Sequence, residues 1–115
     1  MRIELLAITF LALLGCKKDD SPDTSVPACI NNKIAELQAA TVRNPPASIW
    51  QYQYKGKTVY YIPSYCCDAP SELFDSECNF ICSPDGGITG KGDYQCPDFA
   101  DTRTNDKLIW KDNRE

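Results

Sequence analysis

Five of the seven cysteines fall between Cys66 and Cys96, in a run that also holds Pro84-Asp85-Gly86-Gly87, Gly90-Lys91-Gly92-Asp93 and Cys96-Pro97-Asp98-Phe99. That density of glycine, proline and aspartate punctuates the chain too often for a long helix or strand. The stretch is expected to be a small, loop-rich module held by disulfides. In a chain of 115 residues an apolar core alone is marginal, and covalent staples are the usual remedy.

With Cys16 set aside for another role, six cysteines remain: Cys29, Cys66, Cys67, Cys78, Cys82 and Cys96. An even count in a small exported domain predicts a disulfide framework whose connectivity the sequence leaves open. Cys66 and Cys67 are adjacent. On an extended backbone they point to opposite sides, so each is expected to find a different partner; a bond between them would close a small strained ring. Zinc is the rival reading. The paired C-x2-C units of zinc ribbons are missing and the chain has no histidine, so no metal site is expected from the cysteines.

The N-terminal segment gives the expected address. Arg2 precedes an apolar run from Leu5 to Leu14, too short to span a bilayer as a helix and of signal-peptide length. Leu13-Leu14-Gly15-Cys16 then resembles a bacterial lipobox. The resemblance implies a signal peptide over 1–15, cleavage before Cys16 and attachment of lipid, palmitate included, to that cysteine. Residues 16–27 are rich in charge, serine and proline, as a solvated linker is. Lys17 is not the aspartate associated with inner-membrane retention. Lys18-Asp19-Asp20 resembles the surface-export signal of Bacteroidota lipoproteins. Both point to a lipid-anchored protein of the outer membrane, with cell-surface display as the finer expectation.

Residues 28–115 are then one folded domain. Ile30, Ile34 and Leu37 fall at i, i+4 and i+7, which predicts a helix from Cys29 to about Ala40. Cys29, at its start, is expected to tie it to the cysteine-rich module. Asn44-Pro45-Pro46 cannot continue it. Trp50, Tyr52 and Tyr54 alternate with Gln51 and Gln53, the period of a strand with one aromatic face. Lys55-Gly56-Lys57 reads as a tight turn, and Thr58 to Ile62 as the returning strand. The Trp50/Tyr52/Tyr54 row is a candidate binding surface; the favoured reading is core, packed on the Ile30/Ile34/Leu37 stripe. Ser71 to Asp75 and Phe80 to Cys82 form a second short hairpin, and Lys107 to Lys111 a closing edge strand. The fold class is α+β: one N-terminal helix packed on a small antiparallel sheet, with a disulfide-rich loop module.

Composition narrows the chemistry. A net charge of −4 argues against nucleic acid as a partner, which needs a basic surface. Residues 66–106 carry nine acids against Lys91 and Arg103. Asp85 and Asp93, on the glycine-rich loop, are the candidates for calcium, a hard cation that favours such oxygens; turn chemistry is the stronger reading, so no cofactor is expected. Without histidine, and with no nucleophile beside a base, an enzyme is not expected and no catalytic residue is assigned.

The run from Ile49 to Tyr61, with Trp50, Tyr52, Tyr54 and Lys55-Gly56-Lys57, is followed by Cys66-Cys67-Asp68. Cys82-x-Pro84-Asp85-Gly86-Gly87, Gly90-x-Gly92-Asp93 and Cys96-Pro97 complete the pattern. Together these resemble a family of uncharacterised small cysteine-rich lipoproteins from Bacteroidota, over roughly residues 29–111. The resemblance implies the address and the disulfide scaffold and carries no catalytic residues with it. The functional expectation is an envelope binding or interaction domain with a protein or glycan ligand. Two alternatives stand beside it: a protease-inhibitor-like loop presenting Ile88 to Lys91, and a thiol-redox protein using Cys66 and Cys67.

Overall fold

The computed structural model of the protein describes residues 25–66 and 68–114. The expected signal peptide, the lipid-attachment residue Cys16, most of the linker, and Cys67 lie outside the described residues.

Helix α1 spans Ala28–Ala39, and five strands follow: β1 Ser48–Tyr54, β2 Lys57–Ile62, β3 Glu72–Asp75, β4 Phe80–Cys82 and β5 Thr104–Lys111, with the short helix α2 at Phe99–Thr102. All strand pairs are antiparallel, in the order β4-β3-β2-β1-β5. The fold is α+β and mostly sheet. Strands β1 to β4 form a meander of short reversals. The two-residue loop between β1 and β2 has φ 51° at Lys55 and 75° at Gly56, the left-handed pair that matches strand twist.

Strand β5 pairs with β1, at the far edge from β4. To reach it the chain must leave β4 and cross the whole sheet, and residues 83–103 make that crossing over one face. Helix α1 covers the other. The sheet is thus the middle of three layers, and its alternating side chains feed two cores. On the helix side Val26, Ile30, Ile49, Tyr60, Ile62 and Phe74 are buried together, flanked by Ile34, Leu37, Ile109 and Trp110. On the crossing side Tyr52, Tyr54, Val59, Tyr61, Leu73, Cys82, Cys96 and Phe99 are buried, flanked by Trp50.

This arrangement corrects one sequence expectation. The Trp50/Tyr52/Tyr54 row does not meet the Ile30/Ile34/Leu37 stripe; it faces the crossing segment and Phe99. Strand parity is the reason. Ile49 and Trp50 point to opposite faces, and the helix takes the face that also carries Tyr60, Ile62 and Phe74. A second adjustment concerns Val26, assigned to the linker but only 6% exposed and part of the helix-side core.

Candidate functional site

The crossing segment is held to the sheet by a few discrete anchors. Cys82, the last residue of β4, is bonded to Cys96, fourteen positions on, so the glycine-rich stretch is a closed loop. Phe99, 1% exposed, fills the space under it. Its ring meets Tyr54 edge-on with 5.2 Å between centroids, Tyr52 edge-on at 5.5 Å and Tyr61 tilted at 5.5 Å. Such contacts add to the burial of the rings themselves.

Two of these tyrosines also hold the segment by their hydroxyls. Tyr61 Oη donates to Asp85 Oδ2 at 2.6 Å, and Tyr54 Oη donates to Asp98 Oδ1 at 2.6 Å. Burial first, and the Asp85 carboxylate second, push the Tyr61 hydroxyl far above the usual phenol range. Tyr54 shifts up for the same two reasons, burial ahead of Asp98. In return the Tyr54 hydroxyl holds the Asp98 carboxyl below the usual carboxylate range. Both phenols are kept neutral as donors, the reverse of what an activated nucleophile or base needs.

Inside the loop the backbone folds on itself. Gly90 N donates to Gly87 O, Gly86 N to Gly90 O, and Gly92 N to Gly86 O. Ser71 Oγ accepts from Asp85 N at 3.0 Å and donates to Asp85 O at 3.0 Å. Gly92, at φ 67°, lies against the Ser83 carbonyl so closely that a Cβ there would overlap it. The position therefore needs glycine twice over, for its conformation and for its lack of side chain.

The structure gives the calcium candidates other work. Asp93 Oδ2 accepts from Ser83 N and its Oδ1 from Gln95 N, while Asp85 Oδ2 takes the Tyr61 hydroxyl. Among the described residues no three His, Cys, Asp or Glu side chains gather where a metal ion could be held. Asp85 and Asp93 thus tie the loop to the sheet and to its own backbone.

The candidate aromatic surface is placed just as plainly. Tyr52 and Tyr54 are 8% and 5% exposed under the crossing segment, and Trp50 is half-buried beside them. The row is core and not a display surface. The most exposed large apolar side chain described is Ile88, in the closed loop, at 90%; Tyr94, nearer Cys96, is 59% exposed and Phe80 on β4 55%. Sequence reading found Ile88 only as part of an inhibitor-like loop. The signal was there, an isoleucine among glycines with nothing apolar nearby in sequence.

The remaining cysteines divide in two. Cys29 at the start of α1 is bonded to Cys78 in the β3–β4 turn, tying the helix to the sheet. Since Cys29, Cys78, Cys82 and Cys96 bond with one another, the expectation that Cys66 and Cys67 each reach one of them does not hold. Cys66 is exposed, and its backbone N–H donates to Asn44 O at 3.3 Å.

None of the curated proteins and none of the solved structures matches the chain. One family model does, over residues 35–112, from the middle of α1 to just past β5. That span holds the whole sheet, the closed loop and both tyrosine–aspartate anchors, and by it the chain belongs to the family DUF6970, a domain of unknown function.

Proposed function

We propose that this protein is an outer-membrane lipoprotein, anchored through lipid on Cys16, whose domain is a non-enzymatic binding module that meets its ligand with the tip of the Cys82–Cys96 loop. The observation that carries the reading is Ile88. A side chain of that size left 90% exposed, on a loop closed by a disulfide and pinned by the Tyr61 hydroxyl at Asp85 within it and by the Tyr54 hydroxyl at Asp98 just past it, is an apolar contact held ready at little entropic cost. A protein or glycan ligand fits such a tip; nucleic acid does not fit a chain of net charge −4. The anchor rests on the apolar run Leu5–Leu14 and on Gly15-Cys16.

The test is capture by the full chain from envelope proteins and a glycan panel, repeated with Ile88→Asp. A ligand retained by the native protein and lost with the variant, at unchanged thermal midpoint, supports the reading; retention indifferent to Ile88→Asp overturns it. The anchor is tested separately by radiolabelled palmitate, which should label the native chain and not Cys16→Ala.

A protease is one form such a ligand could take, with Ile88 to Lys91 offered to its cleft. Against that form, residues 86–92 are a succession of tight turns, whereas a peptide that adds to a sheet edge lies extended. Titration should then leave protease activity intact. A thiol-redox role is favoured by a different observation: with Cys29 bonded to Cys78 and Cys82 to Cys96, and Cys16 assigned to lipid, reversible chemistry falls to Cys66 and Cys67. Alkylation of the native protein followed by intact mass decides it, since a redox role requires two titratable thiols there.

A further inference from the structure

A second surface lies beside the crossing segment, where α2 runs into β5. An open cavity of about 250 Å³ is lined there by Tyr52, Ala100, Arg103, Thr104 and Asp106. Its chemistry is set by Arg103. The guanidinium carbon lies 4.5 Å from the Tyr52 ring centroid, 5.2 Å from Phe99 and 5.9 Å from Tyr61. Three rings therefore lie within cation–π distance of the guanidinium and hold it in place. Ring contacts use the face of a guanidinium and leave its N–H edge, with five donors, pointing elsewhere. Among the described residues that edge makes no ion pair and no hydrogen bond.

Asp106 makes the arrangement more specific. It lines the same cavity, yet among the described residues it forms no ion pair with Arg103. Opposite charges that share a cavity this small, without closing on each other, leave both ends available to a guest. A carboxylate suits the arginine edge, which binds it through two parallel N–H bonds. An ammonium suits Asp106. The Thr104 hydroxyl, between them in sequence, can donate or accept.

We propose that this cavity binds a small zwitterion, an α-amino acid or a short peptide, with its carboxylate on Arg103 and its ammonium on Asp106. The cavity uses none of the residues at the loop tip, so it is a separate site from the one proposed above. Dipeptide binding and ligand capture can be scored independently on one preparation.

The experiment is a nitrogen-15 NMR titration of the full chain in detergent, following the Arg103 side-chain Nε–H and the Asp106 backbone N–H. The probes are L-alanine, L-alanyl-L-alanine, N-acetyl-L-alanine and L-alanine amide. Saturable shifts of both signals with a zwitterionic probe, with a dissociation constant of about 1 mM, support the proposal. The two single-charge probes should then bind at least about tenfold more weakly. Whether L-alanine or the dipeptide binds better separates the two sources of the zwitterion. Arg103→Lys keeps the charge and loses the two-pronged edge, and should weaken binding about tenfold. Asp106→Asn, on an exposed strand position, should do the same without disturbing the fold. N-acetyl-L-alanine binding as well as the dipeptide would make this a plain anion site and overturn the proposal. So would shifts that do not saturate, or that survive Asp106→Asn unchanged.

Discussion

The two faces of the sheet are covered in opposite ways. On one side a regular helix lays Ile30 and its neighbours onto Ile49, Tyr60, Ile62 and Phe74. On the other an irregular crossing segment does the same job with one aromatic ring, one disulfide and two hydroxyl-to-carboxylate bonds. A helix satisfies its own backbone and needs little beyond an apolar stripe. A loop does not, so its cover must be tied down at points. Even the helix here borrows help at its end. It has no basic residue in its last turn, and Arg114, from the far end of the chain, donates to the carbonyls of Leu37, Gln38 and Ala40 at 2.9, 2.8 and 3.1 Å. Arg114 is itself held by Asp112, at 2.7 Å.

If each face depends on its own ties, cutting them should separate the faces. The largest effects come from the disulfides. Cys29→Ser with Cys78→Ser opens a sequence separation of 49, for which loop-closure entropy predicts a loss of about 4 kcal/mol. Cys82→Ser with Cys96→Ser opens a separation of 14, for about 3 kcal/mol. Urea unfolding of the two double variants gives the order, and a larger loss from the shorter loop would break the comparison. The tryptophans serve as local reporters, since Trp110 flanks the helix-side core and Trp50 the crossing-side core. With Trp110→Phe as background, Trp50 emission should respond to loss of Cys82–Cys96 before global unfolding.

Phe99→Ala comes next. It removes the one ring that touches Tyr52, Tyr54 and Tyr61 together and should cost about 3 kcal/mol, toward the lower end for a buried phenylalanine because the loop can settle. Tyr61→Phe is smaller. It keeps the ring and deletes the bond to Asp85, for about 1.5 kcal/mol in urea unfolding, the lower range for a bond to a charged group. Tyr54→Phe should cost less again, because Asp98, whose side chain is 43% exposed, keeps Lys55 at 3.9 Å. Equal losses from the two variants would mean that Lys55 does not compensate for the lost hydroxyl.

The same contrast explains what could be read in the sequence. The helix and the first hairpin were legible because local periodicity encodes them. Ile30, Ile34 and Leu37 share one side of α1, and Trp50, Tyr52 and Tyr54 alternate up to a Lys-Gly turn. Strand β3 was expected from Ser71 and runs Glu72–Asp75; β4 matches Phe80–Cys82. Strand β5 begins at Thr104, earlier than Lys107, because its first residues are polar and pair with β1 through the backbone alone. What covers the aromatic row was not legible. It follows from β5 pairing with β1, a long-range choice that sends the chain across that face. The cavity at Arg103 was missed for the same reason, since Tyr52 and Arg103 are neighbours only once β5 is in place. Nor could spacing predict that Arg114 caps a helix 76 residues away.

The smallest effect is also the most selective test of the helix end. Hydrogen bonds from the Arg114 side chain, followed by its backbone N–H, hold the Asp112 carboxyl below the usual carboxylate range. In the unfolded chain that carboxyl returns to about 3.9. A group whose folded pKa is depressed contributes stability that is complete above the unfolded value and disappears as pH falls through the folded one. The thermal midpoint of the native protein should therefore be flat above about pH 5 and fall below about pH 4. Part of that fall belongs to Asp75 and Asp98, whose carboxyls are also held low, Asp75 mainly by the Asn79 N–H and Asp98 by Tyr54. Arg114→Gln isolates the Asp112 share. The variant should melt about 5 °C lower at neutral pH, and the gap should narrow as the pH drops below about 4. A gap that stays constant with pH would assign the loss to the helix carbonyls alone, and Asp112 would then only orient the arginine.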